Sequence, residues 1–176
     1  MVAMQGRPSE SDYSPAFAGY VALCPEDDIL SVIEQGSSET QRLLSSLDDE
    51  RATYRYAEGK WSVKEVIGHV TDAERVFGYR ALCISRGEKN SLPGFDENEY
   101  MRNANFDDWR LGDLAESYAL VRRSNIVLFR HLPPDAWDRR GVANQKEITV
   151  RALAYVLAGH ERHHLKILRE RYLIAT

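Results

Sequence analysis

Disulfide scaffolding is excluded at once, because only Cys24 and Cys83 occur among 176 residues, too few for the framework that staples small secreted domains. No stretch approaches the roughly 20 consecutive apolar residues needed to cross a bilayer. The amino-terminal MVAMQGRPSESDYSP also has no apolar core of a secretory signal, so a cytoplasmic protein with reduced thiols is expected. An excess of positive charge is missing as well: 23 Lys and Arg against 27 Asp and Glu leave a net charge of −4, which speaks against a nucleic-acid surface built on overall charge. The chain contains no Gly-x-Gly-x-x-Gly, no phosphate loop ending in Gly-Lys-Ser/Thr and no Gly-x-Ser-x-Gly elbow, which leaves nucleotide binding or serine hydrolysis through those motifs without support. Internal repeats at solenoid periods are absent too.

What is present is helical periodicity in a chain of one-domain size. Residues 1–24, rich in Ser, Pro and Gly at the start, are expected to form an arm, with Tyr20-Val21-Ala22-Leu23 docking it on a bundle domain over 25–176. After Pro25 a first helix is predicted from Glu26-Asp27-Asp28, whose charge suits a helix amino terminus, and from Ile29, Val32, Ile33, Leu43, Leu44 and Leu47; Gly36-Ser37-Ser38 predicts a kink. Residues 48–60 read as a loop. Ser62-Val63-Lys64-Glu65 fits a capping box, so a second helix starts at Val63 and carries Val66, Ile67, Val70, Ala73, Phe77, Ala81 and Ile84 to a stop at Gly87. The connection over 88–108 is long for a compact bundle and holds a short helix capped by Asp96. A third helix follows from Trp109 or Leu111 to His131, with Leu111, Leu114, Tyr118, Val121, Ile126 or Val127, and Phe129 on its apolar face, and Pro133-Pro134 ends it. A loop or small hairpin over 139–148 precedes a last helix capped by Thr149 and running to about Tyr172. Four long helices and no set of credible strands predict an all-α fold, a four-helix bundle whose long connections permit a crossover.

Chemistry points to the histidines. On the last helix, His160 and His164 are four residues apart, one above the other, in line with Leu153, Leu157 and Ile167 or Leu168. His69 stands at the edge of the core stripe of the second helix, beside Val66 and Ala73. Two imidazoles on an apolar face without partners would each cost solvation, whereas three neutral imidazoles with open coordination positions suit zinc, nickel, iron or another borderline divalent ion. His163 points about 60° away from His160 and reads as a boundary residue. His131, in the last turn of the third helix, suits the dipole there and needs no metal. Cys83 lies about 21 Å along the helix from His69 and cannot share an ion with it. Trp61, Trp109 and Trp137 fall at helix boundaries, where packing of bundle ends is the leading explanation.

His160-Glu161-Arg162-His163-His164 also satisfies the letters of the zincin protease motif. The context does not follow: position 170 is Glu where a third histidine belongs, Ile167 replaces the intervening Gly, and 12 residues follow His164. A protease is not expected, and Glu161 reads as a solvated or ion-paired residue rather than a base.

Three separated segments, Lys60-Trp61-Ser62-Val63-Lys64-Glu65-Val66-Ile67-Gly68-His69 through Arg75, Leu92-Pro93-Gly94-Phe95-Asp96, and Thr149-Val150-Arg151-Ala152-Leu153 through His164, resemble the DinB-like superfamily in its DinB_2 branch, over roughly residues 25–172. The resemblance implies a four-helix bundle with a long crossover, often homodimeric. It also implies a divalent metal (zinc or nickel, with iron or manganese as further candidates) on His69, His160 and His164. Thiol-dependent transferases and isomerases using low-molecular-weight thiols belong to that superfamily, as do metal hydrolases and the amino-terminal part of ergothioneine-forming enzymes. The expectation is a metal-dependent enzyme that activates a small thiol or water toward a small-molecule substrate, with Asp72, Glu74, Asp96 and Glu161 as positional candidates for acid or base. The alternative is a non-catalytic, metal-stabilised bundle serving dimerisation or small-ligand binding.

Overall fold

A computed structural model describes residues 6–174 of the chain; residues 1–5 of the expected arm and 175–176 lie outside the described residues. Among the described residues seven α-helices run in the order α1 (Ala18–Ala22), α2 (Ile29–Ser45), α3 (Asp49–Ala52), α4 (Val63–Ser85), α5 (Glu97–Ala104), α6 (Leu111–Arg130) and α7 (Val150–Glu170), with a hairpin of β1 (Arg140–Ala143) and β2 (Lys146–Thr149) before the last. The start signals act as the sequence predicts. Ser62 Oγ accepts from Glu65 N at 3.0 Å while Glu65 returns to Ser62 N at 2.7 Å, and Thr149 Oγ1 accepts from Ala152 N at 3.1 Å; each such cap stabilises its helix by about 1 kcal/mol. Asp96 caps α5 by accepting from Asn98 N and Glu99 N. The hairpin turn is Asn144-Gln145, both with positive φ (51° and 62°), the arrangement that matches the twist of a two-residue β-turn.

Four long helices make the bundle. α4 packs against α6 and α7, and α2 packs against the same two, so α2 and α4, consecutive among the long helices, lie on one diagonal. The apolar core comes in two clusters. One holds Ile29, Ile33, Phe77, Ile84, Phe129, Trp137 and the α7 residues Val150 to Ala158; the other holds Leu43, Leu44, Val63, Ile67, Leu111, Leu114, Leu165 and Leu168. Read along each helix, α2 and α7 pass from the first cluster to the second, while α4 and α6 pass from the second to the first. Because α4 and α6 are adjacent and parallel, residues 86–110 must return along the full length of the bundle. Leu92 enters the first cluster, Met101 and Phe106 the second, and the stretch between them crosses the middle.

That middle is a polar layer to which every long helix contributes. Thr40 of α2, His69 and Glu74 of α4, Tyr118, Arg122 and Asn125 of α6, and His160 and Glu161 of α7 are all buried. Arg122 Nη2 lies 3.0 Å from both Glu74 Oε2 and Glu161 Oε2. Thr40 donates to Glu161 Oε1 at 2.7 Å, the Tyr118 hydroxyl donates to the same oxygen, and Asn125 Nδ2 donates to Glu74 Oε1 at 2.9 Å.

The structure sharpens the reading at Gly36 and Glu161 and corrects it on α6. α2 runs without a break through Gly36-Ser37-Ser38; a Cβ at Gly36 would stand 2.3 Å from Glu161 Oε2, so the glycine makes room for a buried carboxylate. Of the two readings open for Glu161, solvated or ion-paired, the structure shows the second: it is 2% exposed and paired with Arg122. On α6 Arg122 and Asn125 are buried together with the expected Leu111, Leu114, Tyr118 and Phe129, whereas Val127 is 46% exposed and Val121 and Ile126 are only partly buried. The loop over 48–60 also contains the single turn α3, capped by Asp48.

Candidate metal centre

His69 on α4 and the His160–His164 pair on α7 are brought face to face by the α4–α7 packing. One ring nitrogen from each lies within 4.8 Å of the others, and His69 Nε2 is 3.0 Å from His160 Nε2. Ring centroids are 4.9 Å apart for His69 and His160, 4.8 Å for His69 and His164, and 4.5 Å for His160 and His164. His160 is packed from outside by α1, because Gly159 lets that helix approach so closely that a Cβ there would stand 2.0 Å from the Tyr20 carbonyl oxygen. The Tyr20 ring then lies edge-on to His160 at 5.4 Å and to His163 at 5.6 Å. Trp61, for which packing of a bundle end is the leading reading and pocket lining the second, sits 5.0 Å from the His69 ring.

Burial sets the protonation of the cluster. It lowers the His69 pKa to about 4, with Glu97 opposing and His163 adding to the effect. Burial, together with His69 and His163, lowers His164 to about 3. His160 is held well below its ordinary value by burial and then by His164 and His69. At neutral pH the three rings are neutral, the form that binds a metal. This donor set fits a borderline divalent ion: three imidazole nitrogens from two facing helices, with space beside them for a further ligand.

The same shifts fix a pH dependence for the metal-free protein. A histidine whose folded pKa lies below its unfolded value contributes stability that is full above about 6.5 and is lost as the pH falls toward the folded value. In EDTA-treated protein, His69→Gln is therefore expected to remove roughly 3 kcal/mol of the stability lost between pH 6.5 and 4. Urea denaturation at a series of pH values measures it, and equal acid slopes in the two proteins would contradict the assignment. Glu74, which burial raises to about 7, acts with the opposite sign but is common to both proteins.

Two cavities flank the cluster where the α4–α6 crossover passes over it. One, of about 200 Å³, is bordered by Tyr20, His69, Phe77, Arg80, Glu97 and His160 among others. The second, of about 320 Å³, is bordered by Tyr56, Trp61, Asn98, His164 and Tyr172. Among the described residues, none of the four carboxylates expected as acid or base lines either cavity. Asp72 pairs with Arg75 at 3.0 Å, Glu74 and Glu161 belong to the Arg122 network, and Asp96 is spent on the α5 cap. Their neighbour Glu97 does line a cavity. No sequence signal marks it, because which face of α5 meets the bundle depends on the crossover. His163 and His131 stay outside the cluster; His131 Nδ1 is 2.9 Å from the Val127 carbonyl oxygen.

A bundle with a layer of converging histidines and a full-length crossover defines the class, and comparison with known proteins gives the family. The profile of the DinB superfamily matches residues 33–168, and the chain belongs to that family. A protein of Oceanobacillus iheyensis named "Putative metal-dependent hydrolase" is 27% identical over 146 residues, covering 79% of this chain and 82% of the relative. Among solved structures, YfiT from Bacillus subtilis, described as a probable metal-dependent hydrolase with an unusual four-helix bundle topology, superposes with a TM-score of 0.73 over 97% of this chain and 95% of its own, at 16% identity. The mycothiol-dependent maleylpyruvate isomerase superposes with a TM-score of 0.67 at 18% identity, over 82% of this chain and 61% of that one. These two likenesses are of fold. Among the described residues, no helix is long and apolar enough to cross a membrane.

Proposed function

We propose that His69, His160 and His164 hold a divalent metal ion and that the chain is a metal-dependent enzyme acting on a small molecule bound beside them. The observation that carries this reading is the convergence of three neutral imidazoles at the floor of two cavities. Zinc or nickel suits three imidazole nitrogens, with iron or manganese as further candidates. An ion held there would lower the pKa of a bound nucleophile, which gives the site chemistry at neutral pH. The protein's own groups supply the remainder. The crossover carries Glu97 to the cavity mouth, where it is the carboxylate placed to accept or return a proton, and Tyr20, Phe77 and Trp61 wall the rings against bulk water.

The relative named as a metal-dependent hydrolase favours water as the nucleophile. A small thiol is the second reading, and the cavity on the His164 side favours it: its roughly 320 Å³ between Tyr56, Trp61 and Tyr172 has room for the body of a thiol cosubstrate. The superfamily resemblance also supports a homodimer, which sedimentation equilibrium would test.

Elemental analysis of protein expressed in supplemented medium is expected to find about one divalent ion per chain. Thermal-shift screening against a panel of small thiols, with and without the metal, then separates the two nucleophiles: a shift that needs both thiol and metal supports the transferase reading. Absence of metal from the supplemented protein would sink the proposal in both forms and leave a ligand-binding or dimerisation bundle.

A further inference from the structure

We propose that Arg80 is the anion-binding residue of the cavity beside His69 and His160, so that the small molecule taken there carries a carboxylate. The inference rests on the reading of this site as one that takes a small molecule. Arg80 is only 4% exposed, yet among the described residues it has no carboxylate within ion-pair distance. Its Nη2 donates to the Pro93 carbonyl at 2.8 Å, and its Nε is buried without any hydrogen-bond partner. Arg122, also buried, stands between two carboxylates. A buried guanidinium has five N–H donors and is normally matched by an anion, because taking the charge out of water is costly. One backbone carbonyl does not neutralise it.

Its position fits a ligand. Arg80 borders both the cavity of about 200 Å³ at His69 and His160 and a neighbouring one of about 240 Å³, and Phe95 is common to the two. It follows His69 by eleven residues on α4, which returns it to nearly the same helix face about 16 Å along the axis. Long helical side chains lean toward the helix amino terminus, here toward the histidines. The path between the histidines and Arg80 is walled by Tyr20, Phe77 and Phe95, so the ligand has an apolar or aromatic body between its reacting centre and its charged end. A planar guanidinium suits a planar carboxylate. Glu97 in the same cavity opposes a doubly charged phosphate, which favours the monoanion.

Calorimetric titration of the full chain with phenylbutyrate, phenylbutyramide and phenylpropyl phosphate tests the assignment, with metal content measured on every sample. Wild type is expected to bind the carboxylate at least about ten-fold tighter than the amide, as a charge-assisted hydrogen bond implies. In Arg80→Met that preference falls to about unity with metal retained, and Arg80→Lys, which keeps the charge but not the fork, lies between. Four results would overturn the proposal: equal binding of carboxylate and amide by wild type, no binding of the carboxylate at millimolar concentration, tighter binding of the phosphate, or an undiminished preference in Arg80→Met. Should Arg80→Met fail to fold, the weakened preference in Arg80→Lys decides. A wild type without metal that still prefers the carboxylate removes the three-histidine reading and leaves the anion site standing, so the two failures are distinguishable.

Discussion

His160→Ala and His164→Ala are expected to leave purification with background metal instead of about one ion per chain, and their affinity for added ion is expected to fall by more than about 100-fold, the upper end of what loss of a mere supporting residue costs. The helical fold should persist in both. Each substitution removes a ring that packs against the others at 4.5–4.9 Å, but it also relieves a cluster that burial and mutual repulsion hold neutral. His163→Ala is the control. Its ring faces Tyr20 at 5.6 Å and lies outside the converging trio, so metal content should be unchanged. Elemental analysis after gel filtration, with circular dichroism to verify the fold, reads out all three. Stoichiometric metal in the His160→Ala/His164→Ala double variant would refute the ligand assignment, and loss of metal in His163→Ala would move the site.

Arg122→Met is expected to be the most destabilising single change in the bundle that touches no proposed ligand. Removing the guanidinium strands Glu74 and Glu161, each 2% exposed, in the interior without their counter-charge. Breaking a buried pair in this way costs about 3–5 kcal/mol, which in a domain of this size lowers the melting temperature by roughly 10 °C. The loss should depend on pH in a defined direction. Burial already lifts the Glu74 pKa to about 7 with Arg122 beside it, and without the arginine it rises further. A carboxyl whose folded pKa is raised stabilises the fold when protonated and ceases to do so as pH rises through that value, so Arg122→Met should be less destabilised at pH 5 than at pH 8. Changing Glu74 and Glu161 to Gln in the same protein should recover part of the loss. Urea titrations at both pH values measure these differences; a cost below about 1 kcal/mol at pH 8 would mean that water reaches the layer.

Much of this was legible in the chain. The period of Val63, Val66, Ile67, Val70, Ala73, Phe77, Ala81 and Ile84 alone defines the buried face of α4, and every one of those residues is buried. Caps at Ser62, Asp96 and Thr149 locate three helix starts, because a cap is a contact between residues two or three apart and needs no tertiary information. The pair His160 and His164 is local in the same sense. Arg122 was legible as well but easily passed over: Leu114, Tyr118, Arg122, Asn125 and Phe129 keep helical spacing, and a charged residue in that register is a buried charge in search of partners. Placing Val121 and Ile126 or Val127 on that face between Tyr118 and Phe129 follows hydrophobicity, whereas the burial follows the period.

The sequence by itself determined the long helices, the buried face of α4 and the candidate trio of imidazoles, since each depends on spacings within one element or on the resemblance of three short segments to one family. Tertiary structure decided the rest. It made α4 and α6 parallel neighbours, so that residues 86–110 run the length of the bundle and bring Glu97 to the cavity bordered by His69 of α4 and His160 of α7. It also gave Gly36, read in the sequence as the place of a kink, the role of making space for a carboxylate. The physical reason is that a side chain's chemistry depends on what desolvates and faces it, and those neighbours come from elements more than a hundred residues apart, as Thr40 and Glu161 do.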